Sequence, residues 1–80
     1  MEKKLILSEL AAEIKQAVVT DLHLTENCIF EEDTDLFDIT TDKAVITITA
    51  PFRAQLKKWH IQKNSELNEN SLVATIELKD

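Results

Sequence analysis

The sequence predicts an α+β fold in which two helices cover one face of a three-stranded sheet, in the order α-β-β-α-β. Three observations predict it. Residues 8–22 repeat apolar side chains at helical spacing. Residues 44–50 and 72–78 alternate apolar and polar side chains, as half-buried strands do. Pro51 then separates the first of these strands from a second segment with helical spacing, residues 51–67.

In the first segment Leu7, Ala11, Ile14, Val18 and Leu22 form one stripe, widened by Leu10 and Ala17. Ser8 suits the N-cap, and Glu9 faces the positive helix end. Residues 4–7 either extend this helix or lead into it. Thr25-Glu26-Asn27 reads as a turn, with a short helical turn through Phe30 as the alternative. The acidic connection Glu31-Glu32-Asp33-Thr34-Asp35 follows. Residues 36–40 suit an edge strand with Phe37 and Ile39 on one face. The polar turn Thr41-Asp42-Lys43 joins it in a hairpin to residues 44–50, where Ala44, Ile46, Ile48 and Ala50 oppose Val45, Thr47 and Thr49.

Beyond Pro51, the residues Phe52, Leu56, Trp59 and Leu67 share a helical face, with Arg53, Lys57 and Lys58 off it. A shorter helix followed by a strand at Trp59-His60-Ile61-Gln62 fits the same residues. Asn68-Glu69-Asn70-Ser71 turns the chain into the last strand, where Leu72, Ala74, Ile76 and Leu78 oppose Val73, Thr75 and Glu77. No internal repeat is visible.

Composition sets the outer bounds. Eighty residues with 44% apolar and 30% charged side chains make one small globular domain, residues 1–80. With three Phe, one Trp and no Tyr, its core is mostly aliphatic. The single Cys28 allows no internal disulfide, which points to a cytoplasmic protein. No stretch approaches the roughly 18 apolar residues that span a membrane. The absence of glycine excludes a Gly-rich phosphate loop and leaves Asn and Asp to take left-handed positions.

Charge is unevenly spread beneath a net −6. Residues 20–42 hold Asp21, Glu26, Glu31, Glu32, Asp33, Asp35, Asp38 and Asp42 with no Lys or Arg. Residues 51–63 hold Arg53, Lys57, Lys58 and Lys63 with no acid.

Two resemblances follow from these runs. Asp42 to Leu56, with Leu67-Asn68-Glu69 and Val73-Ala74-Thr75-Ile76, resembles the N-terminal domain of the replication initiator DnaA and the DciA family of helicase-associated proteins. Both have a KH-like layout of turn, strand, small residue or proline, helix and final strand. The resemblance implies a non-catalytic docking module around DNA replication. This chain departs from the pattern in lacking a first-helix tryptophan and a glycine before the last strand. Residues 22–42 are similar to the first loop of acyl and peptidyl carrier proteins, which implies an all-α four-helix bundle as the alternative fold. There Asp42 is followed by Lys43 and not by the serine that carries phosphopantetheine, so the alternative is a degenerate carrier with no cofactor. Pro51 inside its second helix would cost about 3 kcal/mol.

The chemistry-bearing residues give partner-binding candidates and no catalytic, cofactor or metal residues. Glu31, Glu32, Asp33, Asp35 and Asp38 lack the central Gly and distal Glu of a calcium loop. They suit a basic protein partner, or an acidic inhibitor or immunity-type protein that mimics nucleic acid, against the plainer reading of a solvated connection. Arg53, Lys57, Lys58 and His60 suit phosphates and a stacked base of single-stranded nucleic acid. The plainer reading pairs these bases with the acidic connection, in the same molecule or across a homodimer. His23, Cys28 and His60 show no metal or nucleophile spacing. The leading expectation is a protein–protein interaction module, replication-linked or encoded by a mobile element, with bipolar charge orienting its partner.

Overall fold

The computed structural model describes residues 1–78 and is almost entirely β. Its elements are β1 (Glu2–Ile6), α1 (Leu7–Leu10), β2 (Gln16–Leu22), β3 (Ile29–Phe30), β4 (Asp35–Thr40), β5 (Val45–Thr49), β6 (Ala54–Trp59), β7 (Glu66–Asn68) and β8 (Leu72–Leu78). They form two antiparallel four-stranded sheets, ordered β1-β8-β6-β3 and β5-β4-β2-β7. The chain changes sheet at nearly every connection. Only the β4–β5 hairpin keeps consecutive strands side by side.

This architecture corrects the expected α+β fold. It is neither a KH-like sheet covered by two helices nor a carrier-like four-helix bundle, and both family resemblances fail with it. Segment 8–22 holds a single helical turn, α1, and then strand β2. Segment 51–67 holds β6 and the first part of β7. Residues 59–62 end β6 and lead into a loop, so the rival reading of a strand there is also corrected.

One local feature contributes to both errors, beside the buried Leu7, Ala11 and Ile14 that precede β2 and extend the apparent helical stripe of the first segment. β2 pairs with β4 through a register shift between Val19 and Asp21, and β6 pairs with β8 through one between Leu56 and Lys58. Each shift inserts one extra residue, Thr20 or Lys57, as a β-bulge does. Inward positions therefore run Ala17, Val19, Leu22 and Ala54, Leu56, Trp59, with the step of two lengthened to three. A bulge in a strand thus reproduces helical spacing over one turn. The β-branched run Val18-Val19-Thr20 was the contrary signal.

β8 and the β4–β5 hairpin follow their alternation over most of their length. β8 covers residues 72–78 as expected, with Ala74 and Ile76 buried and Thr75 and Glu77 turned outward, but Val73, expected to face outward with them, is buried where the β1–β8 register shifts. The β4–β5 hairpin forms as expected, although β4 is central in its sheet, between β5 and β2, and not an edge. Thr41 holds its turn. Its N–H donates to the Ala44 carbonyl at 2.8 Å, and its Oγ1 accepts the N–H groups of Lys43 and Ala44. Pro51 ends β5, but the chain then enters another strand. Left-handed turn positions fall to Asn27 (φ 73°), Asp33 (φ 70°) and Asn64 (φ 75°), as a chain without glycine requires.

The two sheets enclose one apolar core. Leu5 and Leu7, Val19, Phe37 and Ile39, Leu56, Val73 and Ile76 are its largest fully buried side chains. Each is worth about 1.5–3 kcal/mol by burial alone. Phe37 on one sheet meets Trp59 on the other edge to face, with ring centroids 5.9 Å apart at 86°. The Trp59 Nε1–H donates to the Leu24 carbonyl at 2.9 Å, which satisfies the indole where it is half-buried. Among the described residues no polar or charged side chain is buried. Chemistry-bearing groups therefore lie on the outer faces and in the turns.

Candidate functional site: an acidic sheet face

Strand alternation turns every second residue outward, so each sheet's outer face can be read from its strands. The strands of the β5-β4-β2-β7 sheet carry Asp21, Asp35, Asp38 and Glu66 and no Lys or Arg. Asp21, Asp35 and Glu66 are exposed and Asp38 half-buried. The strands of the opposite sheet carry Lys3, Lys4, Lys57 and Lys58 against Glu2 and Glu77. The fold thus converts a charge imbalance along the chain into an imbalance between two faces.

At the centre of the acidic face stands His23, just past β2. Its Nε2 lies 2.9 Å from Asp38 Oδ1, which also accepts a 2.8 Å hydrogen bond from Thr47 Oγ1 on β5. The hydrogen bond that His23 donates to Asp38 raises the His23 pKa above its usual 6.5, and the charges of Asp38, Asp21 and Asp35 add to it. The His23 bond, with the Thr47 bond second, lowers the Asp38 pKa below its usual 3.8. Asp21 stands opposite Asp38 in the β2–β4 register. One donor atom from each of Asp21, His23 and Asp38 lies within 4.8 Å of the other two, so these are the residues that could hold a cation.

A groove of about 790 Å³ opens at one end of the same sheet. Ile14, Ala17, Val18 and Ile46 supply its apolar lining, with Glu13, Asp42, Lys43 and Glu66 at its rim. One wall is the segment between α1 and β2, and the other is the Thr41-Asp42-Lys43 turn.

The residues singled out in the sequence fall into two separate groups. Glu31, Glu32 and Asp33 form the turn into β4, where Thr34 Oγ1 accepts the Glu31 N–H at 3.1 Å. Asp35 and Asp38 lie on β4. Arg53 precedes β6, Lys57 and Lys58 lie on it, and His60 follows it. There is no basic helix: these bases stand on and beside a strand. Arg53 Nε reaches Glu31 Oε2 at 2.7 Å, and Lys57 Nζ lies 3.8 Å from Glu77 Oε2. His60 Nε2 sits 2.7 Å from Thr75 Oγ1. Of the candidates, only Glu31 and Arg53 are brought together.

Asp21, His23 and Glu66 were missed as members of one face. Their signal was present in the two-residue spacing of Asp21 and His23, which places both side chains on one side of a strand. Reading residues 8–22 as a helix concealed it. No protein-family model matches this chain, and no curated protein sequence matches it.

Proposed function

We propose that this chain is a non-catalytic docking module that binds a basic protein surface through the β5-β4-β2-β7 sheet. The observation that carries the reading is the sorting of charge by sheet, with four acids and no base on the strands of this face. A protein presenting Lys and Arg is the partner of complementary charge. Such complementarity raises the rate of encounter and fixes orientation more than it adds affinity. The apolar groove at the end of the sheet supplies area that can leave water on binding, which surface charge alone does not. The reading rests on this face and not on the KH-like resemblance. Cys28, half-buried and unpaired, accords with a cytoplasmic setting.

The test uses affinity capture at low and high salt. The wild-type chain is expected to retain a basic partner at about 0.1 M salt and release most of it at about 1 M, where screening shortens to about 3 Å. The triple variant Asp21→Asn, Asp35→Asn, Glu66→Gln is expected to lose that partner, and Lys57→Ala with Lys58→Ala to keep it. A partner held equally by the triple variant, or lost with the two lysines, contradicts the proposal.

A further inference from the structure

The two sheets are not merely similar in size; each strand of one has a counterpart in the other. Replacing β1, β2, β3 and β4 by β5, β6, β7 and β8, and the reverse, turns the order β1-β8-β6-β3 into β5-β4-β2-β7. The correspondence extends to single residues. From Ala17 onward it is a shift of 37 positions, so that Ala17 matches Ala54 and Ile39 matches Ile76.

Registers obey the shift. Val18 faces Thr40 and Leu22 faces Phe37 across β2–β4; Gln55 faces Glu77 and Trp59 faces Ala74 across β6–β8. The bulges at Thr20 and Lys57 coincide under it. Phe30 faces Ala54, and Leu67 faces Ala17. Backbone hydrogen bonds obey it too. Asn27 N–H donates to Leu56 at 2.6 Å, and Asn64 N–H to Val19 at 2.7 Å. His23 N–H donates to Leu36 at 3.0 Å, and His60 N–H to Val73 at 2.9 Å. The Glu31 N–H bond to Thr34 Oγ1 is matched by Asn68 N–H to Ser71 Oγ at 2.8 Å. Thr41 N–H bonds the Ala44 carbonyl in the hairpin turn, and Leu78 N–H bonds the Met1 carbonyl at 3.0 Å where the first and last strands meet. Asn27 and Asn64 share the left-handed conformation.

A β-sandwich needs none of these coincidences to bury its core. We infer that the chain is an internal duplication: two copies of one four-stranded unit, divided within the Thr41–Ala44 turn, packed as a fused dimer about a two-fold axis. Within each unit only one strand pair forms, β2–β4 or β6–β8. The pairs β1–β8, β2–β7, β3–β6 and β4–β5 all join one unit to the other. Each unit's required partner is therefore the other copy.

The duplication also explains the two histidines. His23 and His60 are exposed, so core packing does not account for their repetition. They hold the same position, each against the outward residue of a central strand, Asp38 or Thr75. Around that position the units have diverged in charge: Asp21 corresponds to Lys58, and the neutral Thr47 to Lys4. They have also diverged in one connection. Ten positions separate Leu7 from Ala17 and four separate Ala50 from Ala54, so the first unit's connection is six residues longer, and that longer connection runs through α1 and one wall of the groove.

The test is circular permutation of the whole chain. The Thr41–Ala44 turn has two residues between its bonded ends, and joining Asp80 to Met1 places two residues between Leu78 and Met1. A permutant that starts at Lys43, joins Asp80 directly to Met1 and ends at Asp42 is expected to keep the wild-type β spectrum and unfold cooperatively as a monomer. Backbone cyclisation through the same joint, with no cut, is expected to keep the fold and raise Tm. Loss of the native spectrum on cyclisation overturns the inference, because equivalent turns must tolerate equivalent lengths. A permutant that unfolds while the cyclised chain stays native also counts against it, because equivalent turns must tolerate equivalent cuts. Neither readout depends on partner binding, so the docking proposal stands or falls separately.

Discussion

His23 and Asp38 are the clearest single-residue determinants of pH response. Because His23 titrates higher in the folded chain than its usual 6.5, its pairing contributes fully below 6.5 and is lost as pH rises through the raised value. Because Asp38 titrates lower than its usual 3.8, its contribution is present above 3.8 and is lost as pH falls through the lowered value. The pair therefore stabilises most between about 3.8 and 6.5. Urea unfolding of His23→Gln against wild type should show its largest difference in that window and converge as pH rises past the raised His23 value. A difference that is flat with pH would contradict the pairing. At the core, Phe37 is fully buried at the contact between sheets. Phe37→Ala should cost about 3–5 kcal/mol in the same assay, a large share of the roughly 5–15 kcal/mol that stabilises a typical domain.

Among the elements, the turns carry constraints that glycine usually meets. Asn64 stands at φ 75° and donates its N–H to Val19. Asn64→Gly should leave Tm nearly unchanged or raise it, whereas Asn64→Val should cost about 1–2 kcal/mol, because a β-branched side chain crowds the left-handed backbone. Equal effects of the two would remove that constraint. The strands that sequence made legible are β8 and the β4–β5 hairpin, whose irregular steps, at Leu36 and Val73, fall near their starts and leave the later alternation intact. β2 and β6 were illegible because Thr20 and Lys57 lengthen one step of the alternation and so imitate a helix. β3 and β7 are two and three residues long, too short to carry any period. The acidic residues 31–38 were legible as a cluster, but their relation to Asp21, His23 and Glu66 exists only across strands. The duplication was hidden because many core positions in the two copies keep burial and not identity: Val19 matches Leu56, and Phe30 matches Leu67.

Over the whole molecule, an 80-residue chain with one thin core gains its closure by pairing first strand with last and each unit with the other. The long-range character of these pairings implies slow, cooperative folding, since loop closure precedes most of the contacts that reward it. The surface ion pairs add little to this, at about 0–1 kcal/mol each. The basis of the docking proposal is instead the one sheet whose strands carry acids and no Lys or Arg. Both the faces and the duplication depend on residues 8–22 and 51–67 being strands. The most direct test is proton NMR of the intact chain, reading nuclear Overhauser contacts and amide exchange at the two equivalent asparagines. The Asn27 amide should be close to Leu56 and the Asn64 amide close to Val19, both slowed in exchange together. Sequential amide–amide contacts running through residues 51–67, or contact at only one of the two asparagines, would contradict the account.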